Sequence, residues 1–254
     1  MTQGNAELAL TPARDGSGAM FDDIAGRYDL LNRIISLGLD QSWRKKTVAA
    51  LAIADHEHVL DLATGTGDLA ISVAAGVSTA QVLGLDPSGK MLSVARRKVA
   101  AQGLSGRLAL VRGDAQSLPF ADDSIDRICM AFGIRNVPDR PAALREMARV
   151  TRAGGRIAIL ELAEPRSGLM GRLARLHVHH IVPLLGSILS GSREYRYLQR
   201  SIAAFPPAAE FCQVMESSGL TLLSCQPLTF GVATLYVATP KKAARDVTSA
   251  GQER

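Results

Sequence analysis

Aromatic side chains are scarce in this chain, 4% of its 254 residues. Proteins that hold single-stranded nucleic acid stack its bases on rings, so that class is disfavoured from the start. Cysteine is rarer still: Cys129, Cys212 and Cys225. Their number is odd and no Cys-x-x-Cys occurs, which speaks against a disulfide framework or a zinc ribbon and fits a reducing cytoplasm. No run approaches the length of about 18 apolar residues that a membrane span needs. The most apolar stretch, Ile181 to Leu189, is short and contains Pro183. The first 18 residues lack the apolar core of a secretory signal. The expectation is a cytoplasmic protein, soluble or lying on the inner face of the membrane.

What is present is a globular composition, 47% hydrophobic and 21% charged, which does not read as disorder. At roughly 150 residues per domain the length allows one large domain or two small ones, and it suffices for a core without staples. The net charge is +5 and the pI about 9.4. That charge is unevenly spread. Glu164 to Phe205 holds six Arg against two Glu, and Lys241 to Arg254 carries +2, so the remaining residues together carry −1. The basic excess sits in one internal segment and a tail, beside a nearly neutral remainder.

Along the chain, residues 1–19 are polar and read as disordered. Residues 20–52 read as helical, with apolar residues at Ile24, Tyr28, Leu31, Ile34 and Ile35. From His58 short apolar runs alternate with amphipathic stretches, the pattern of parallel βαβ units. The runs are nearly continuous, so the sheet is expected to be covered on both faces. The alternation stops after Glu161, and 164–205 reads as a helical insert. It resumes as a helix (207–218) and two strands (221–226, 231–239). The short link between those strands permits an antiparallel pair but no parallel crossover. One domain is expected over 20–240, with 241–254 a basic, disordered tail. The fold class is α/β: a Rossmann-like, doubly wound, mostly parallel sheet of seven strands with an antiparallel C-terminal strand.

Val59 to Asp68 runs from a strand through a Gly-rich turn into a helix. Gly65-x-Gly67-x-x-Ala70 formally matches the dinucleotide fingerprint. Asp86 ends the next strand about 20 residues on, where a ribose-binding carboxylate belongs. Two details favour S-adenosylmethionine (SAM) over a dinucleotide. Asp61 precedes the glycines, where it would repel a pyrophosphate but could hold an amino group. The third strand ends in Arg112-Gly113-Asp114-Ala115, followed by Leu118-Pro119-Phe120, an acidic turn and a strand. That order resembles class I SAM-dependent methyltransferases. The resemblance implies that Asp114 and Ala115 meet the adenine, and that the loop residues Gly65, Thr66 and Gly67 pass beside the cofactor. Asp114 is also readable as a helix cap or turn residue.

Two further stretches narrow the resemblance. Tyr28-Asp29-Leu30-Leu31-Asn32-Arg33-Ile34-Ile35-Ser36-Leu37-Gly38, with Trp43 beyond, resembles the N-terminal signature of the ubiquinone/menaquinone biosynthesis C-methyltransferases (the UbiE/MenG family). Arg149 to Arg156, followed by Leu160-Glu161, resembles its second signature. Phe132 to Val137, Tyr195-Arg196-Tyr197-Leu198 and Ser201-Ile202 resemble its fourth-strand motif and inserted segment. The likeness spans about Phe21 to Thr239. The chain departs from the family's common residues at Arg152-Ala153 (Lys-Pro), Ala163 (Ser) and Ala131 (Ser), the last a position associated with SAM contact. The resemblance implies SAM-dependent C-methylation of a prenylated quinol in quinone biosynthesis. Other small-molecule acceptors, a silent binding module and a nicotinamide dehydrogenase stay open as alternatives.

Methyl transfer needs two partners held in line and a quinol made nucleophilic by loss or polarisation of a hydroxyl proton. Arg135, just past the fourth strand, is expected to stabilise a developing phenolate, with Asn136 orienting the same oxygen. Both are also readable as structural contacts. Tyr28, Asp29 and Asn32 share one helical face, where Tyr28 can close over the cofactor and Asp29 is a candidate base. His177, His179 and His180 read as a helix face, and no metal is expected. The basic, apolar segment 164–205 suits a lid on an anionic membrane. Nucleic acid is not an expected partner, and association with a second copy or a biosynthetic complex is left open.

Overall fold

The structure is a computed structural model that describes residues 21–22, 24–163 and 192–242. Seven strands form one sheet: β1 (His58–Leu62), β2 (Gln81–Asp86), β3 (Leu108–Arg112), β4 (Ile125–Ala131), β5 (Thr151–Leu162), β6 (Leu220–Leu228) and β7 (Ala233–Pro240). Their order is β3-β2-β1-β4-β5-β7-β6. The pairs among the first five strands are parallel, and β7 runs antiparallel to both β5 and β6. The fold class expected from the sequence is the one observed.

Seven helices are described: α1 (Tyr28–Ile35), α2 (Leu39–Leu51), α3 (Asp68–Gly76), α4 (Gly89–Ala101), α5 (Arg140–Val150), α6 (Ser192–Ala203) and α7 (Ala208–Ser217). None of them is long and apolar enough to cross a membrane. The helices start where local chemistry dictates. The Ser88 hydroxyl accepts from the Met91 amide at the head of α4, and the Asp139 carboxylate accepts from the Ala142 amide at the head of α5, each satisfying a donor the helix itself leaves unpaired. The segment 20–52, expected to be helical, holds α1 and α2. The chain turns at Gly38, whose φ of 77° is left-handed, and separates α1 from α2.

Alternation along the strands sorts side chains to two faces. Leu60, Ile128, Met130, Ile157 and Ile159 pack with α5 and α7 through Leu144, Met147, Phe211 and Met215. Val59, Val82, Cys129, Ala158 and Leu160 pack with α2 and α3 through Trp43, Leu51, Leu69 and Val73. The sheet is therefore covered on both faces, as its apolar runs predict. Met91 and Met130 belong to the core. At the head of the expected tail Lys241 is exposed, whereas Lys242 is half-buried and tied to the domain. The Lys242 ammonium sits 2.6 Å from Asp123 and donates to the carbonyls of Arg149 and Thr151. Residues 1–19 and 243–254, most of the insert, and the three neighbouring histidines lie outside the described residues.

Candidate active site

β1 lies between β2 and β4, so strand order reverses at β1/β4. Doubly wound sheets take ligands at that switch, beyond the carboxyl ends of their strands. The loop after β1 is tightly coiled: Ala63, Gly65 and Gly67 have φ of 50°, 57° and 85°. At Gly67 glycine is favoured on two counts. Its φ is left-handed, and a Cβ would stand 3.1 Å from that of Ala95 on α4.

Two carboxylates brace this loop. Asp61 is buried on the α2/α3 face of β1. Its Oδ2 accepts from the Thr64 hydroxyl at 2.6 Å and the Ala70 amide at 3.1 Å, and Oδ1 from the Cys129 thiol at 3.5 Å. Burial outweighs these bonds and raises its pKa to about 6. Asp86, at the end of β2, accepts from the Gly65 amide on Oδ2 and the Ser88 amide on Oδ1, both at 2.8 Å. Burial raises it to about 6 as well. Thr66 is buried and donates to Asp29 at 2.5 Å. Beyond β3, Asp114 accepts from the backbone and side-chain nitrogens of Gln116, and Ala115 is buried.

The second half of the site follows β4. Ala131 ends that strand half-buried, and Phe132 takes a left-handed φ of 60°. Its ring rests against Trp43 (centroids 6.3 Å) and beneath the Arg44 guanidinium (5.2 Å). The chain then turns through a short 3₁₀ helix, Ile134–Asn136. Here Arg135 is buried against Glu161 of β5, which is 0% exposed. Arg135 Nη1 lies 2.6 Å from Glu161 Oε1 and its backbone amide 3.1 Å from Oε2. Nη1 also donates to the Phe132 carbonyl, and Nε is buried without a hydrogen-bond partner. Asn136 is half-buried, donating to that carbonyl at 3.3 Å and facing the Tyr197 hydroxyl on α6 at 3.1 Å.

The segment before α2 spans the two halves. Tyr28 lies against Gly65, where a Cβ would be 4.0 Å from its ring. Phe21 meets Tyr28 edge-on at 6.1 Å and Tyr197 edge-on at 6.5 Å. Asp22 accepts from the Ser88 hydroxyl at 2.5 Å. Asp29 is not a free base: Thr66 and Lys98 (2.8 Å) occupy its two oxygens, and Lys98 also bridges to Asp68.

Residues 13–240 match the ubiE/COQ5 methyltransferase family. The chain belongs to that family. It is a SAM-dependent methyltransferase. It is 44% identical over 217 residues to the ubiquinone/menaquinone biosynthesis C-methyltransferase UbiE of Syntrophotalea carbinolica, covering 85% of this chain and 91% of that one. It is 42% identical over 219 residues to the demethylmenaquinone methyltransferase of Deinococcus radiodurans, covering 86% and 90%. Among solved structures it resembles a SAM-dependent methyltransferase from Aquifex aeolicus, with a TM-score of 0.57, 17% identity and coverage of 77% and 88%. At that identity the likeness shows the fold alone.

The glycine loop of this ubiE/COQ5 methyltransferase suits SAM better than a dinucleotide. The amides of Thr64, Gly65 and Gly67 are spent on the Leu85 carbonyl, Asp86 and the Thr64 carbonyl. A pyrophosphate needs such amides free. Buried Asp61 beneath the loop suits an amino group, Asp86 at the end of β2 suits a ribose, and neither suits a pyrophosphate. Lys98 carries no signal in the sequence reading, Phe21 enters it only as the start of the family-like span, and Phe132, Glu161 and Tyr197 enter it only as members of family-like stretches, with no role at the site. Glu161 carried a signal, as a carboxylate within an apolar strand requires a buried partner. The left-handed Phe132 carried none.

Proposed function

We propose that this methyltransferase methylates a ring carbon of a prenylated quinol, of the demethylmenaquinol or polyprenyl-methoxybenzoquinol type. One observation carries the reading: the cofactor loop and the Arg135–Asn136 turn are packed against each other. A Cβ on Gly133 would fall 2.6 Å from that of Ala63, so only glycine lets the loops after β1 and β4 come so close. A donor on one loop and an acceptor at the other are thereby neighbours, which is most of what an in-line displacement asks.

SAM, when bound, supplies an electrophilic methyl. Asp86 would hold the ribose, Asp114 and Ala115 the adenine, and Asp61 the amino end, with Tyr28, Gly65, Thr66, Gly67 and Ala131 lining its path. The Arg135 guanidinium is a planar cation, so its part is charge stabilisation of a developing phenolate. Glu161 holds it in place, and losing either member of so buried a pair costs about 3–5 kcal/mol. Asn136 orients the acceptor oxygen. The names of the relatives, ubiquinone/menaquinone biosynthesis C-methyltransferase and demethylmenaquinone methyltransferase, support a quinol acceptor. We further propose that the basic segment 164–205 rests on an anionic membrane surface, where a prenylated acceptor would be met.

The test is transfer of labelled methyl from SAM to demethylmenaquinol and to the benzoquinol precursor, side by side. Label in at least one product is expected. Label in neither, with SAM bound, overturns the quinol reading.

A further inference from the structure

Tyr197 belongs to no part of the cofactor site, yet its hydroxyl is held in one direction. The Phe132 carbonyl can only accept hydrogen bonds, so the end of the Asn136 amide facing it is the nitrogen, at 3.3 Å. The other end, Oδ1, can only accept. It faces the Tyr197 hydroxyl at 3.1 Å, so Tyr197 must donate. A phenol has one hydrogen, and it is spent on Asn136. What Tyr197 offers any further partner is lone pairs, and no donor among the described residues reaches them.

The direction cannot easily reverse. Arg135 Nη1 donates to the same Phe132 carbonyl at 2.8 Å, which keeps that oxygen in place. The Tyr197 ring is held at 90° to Phe21, and through Phe21 and Tyr28 it is joined to the cofactor loop. Burial pushes the Tyr197 phenol above its ordinary value against the pull of Arg135, so it remains protonated at neutral pH and keeps donating to Asn136.

We propose that Tyr197 selects the redox state of the acceptor: its phenolic oxygen accepts a hydrogen bond from a ring hydroxyl of the reduced quinol and disfavours the carbonyl of the oxidised quinone. This rests on the quinol reading above. A quinol carries two ring hydroxyls. Arg135 favours negative charge on one, and Tyr197 requires a hydrogen on the other. A quinone has no hydrogen at either oxygen, so its carbonyl meets lone pair with lone pair. Sites that bond a substrate hydroxyl discriminate strongly against analogues lacking it, because a buried polar group is left unpaired.

Tyr197→Phe removes the oxygen and keeps the ring. The experiment measures, without air, methyl transfer to demethylmenaquinol and its inhibition by 1,4-naphthohydroquinone and by 1,4-naphthoquinone, for wild type and Y197F. Wild type should favour the hydroquinone over the quinone by about tenfold or more. In Y197F the two inhibition constants should converge to within about threefold. The acceptor KM should rise, while affinity for SAM, measured by calorimetry, stays as in wild type and certifies the fold. An unchanged hydroquinone-to-quinone ratio in Y197F, with wild type active, overturns the proposal. A wild type that binds SAM but methylates no quinol overturns the function reading instead.

Discussion

Asp61 and Asp86 are carboxylates in places that resist charge. Each ends up near a pKa of about 6, against an ordinary value of 3.8. A carboxyl raised in the folded state binds protons more tightly there than in the unfolded chain. Its contribution to stability is therefore full below pH about 4 and is lost as pH rises through about 6. At neutral pH each ionised group costs on the order of 3 kcal/mol. Asp61→Asn should remove that penalty. It keeps an acceptor for Thr64 and Ala70 and turns its amide to the Cys129 sulfur. We expect urea unfolding at pH 7.5 to show a gain of about 1–3 kcal/mol, shrinking at pH 4.5, with weaker SAM binding. A gain as large at pH 4.5 as at 7.5 would place its cause elsewhere. The penalty falls beside the glycine loop, and perturbed carboxyls of this kind cluster at functional sites.

Among the elements, α1 depends most on its contacts. It is eight residues long, too short to be stable alone. Asp29 joins it to Thr66 of the glycine loop and to Lys98 of α4. Lys98 and Asp29 are 25% and 34% exposed, so solvent screening limits the pair to less than about 1 kcal/mol. Lys98→Ala should leave the unfolding midpoint nearly unchanged and raise the Kd for SAM severalfold, with high salt mimicking the change in wild type. A variant with wild-type affinity at all salt concentrations would show that the latch does not reach the cofactor. Elements of this kind were legible in unequal measure. The βαβ rhythm, the antiparallel final pair and the glycine loop follow from local periodicity and spacing, which single stretches carry. The break at Gly38 is local as well, a helix-ending glycine whose amide bonds the Arg33 carbonyl, whereas the left-handed Phe132 and the meeting of Phe21 with Tyr197 depend on residues far apart in the chain. Glu161 lies between these cases: its oddness was visible within an apolar run, its partner Arg135 was not.

For the whole molecule, charge and topology matter more than any one contact. The segment 164–205 carries most of the basic excess while the rest is close to neutral. Reversing Arg172 and Arg175 should weaken binding to vesicles containing anionic lipid and leave binding to neutral vesicles unchanged, as read by sedimentation. Equal binding of both proteins to anionic vesicles would remove this segment as the membrane contact. Topology has a consequence for how the protein is made. β7 lies between β5 and β6, although it is the last of the described strands. During synthesis the six-residue edge of β5 from Ile157 to Leu162 therefore emerges without the strand that will cover it, and β6 follows with no neighbour to join. An open edge of that length invites pairing with other chains. Until the ribosome has delivered Ala233–Pro240 the sheet cannot close. Nascent chains stalled in this window are the ones for which a chaperone matters most.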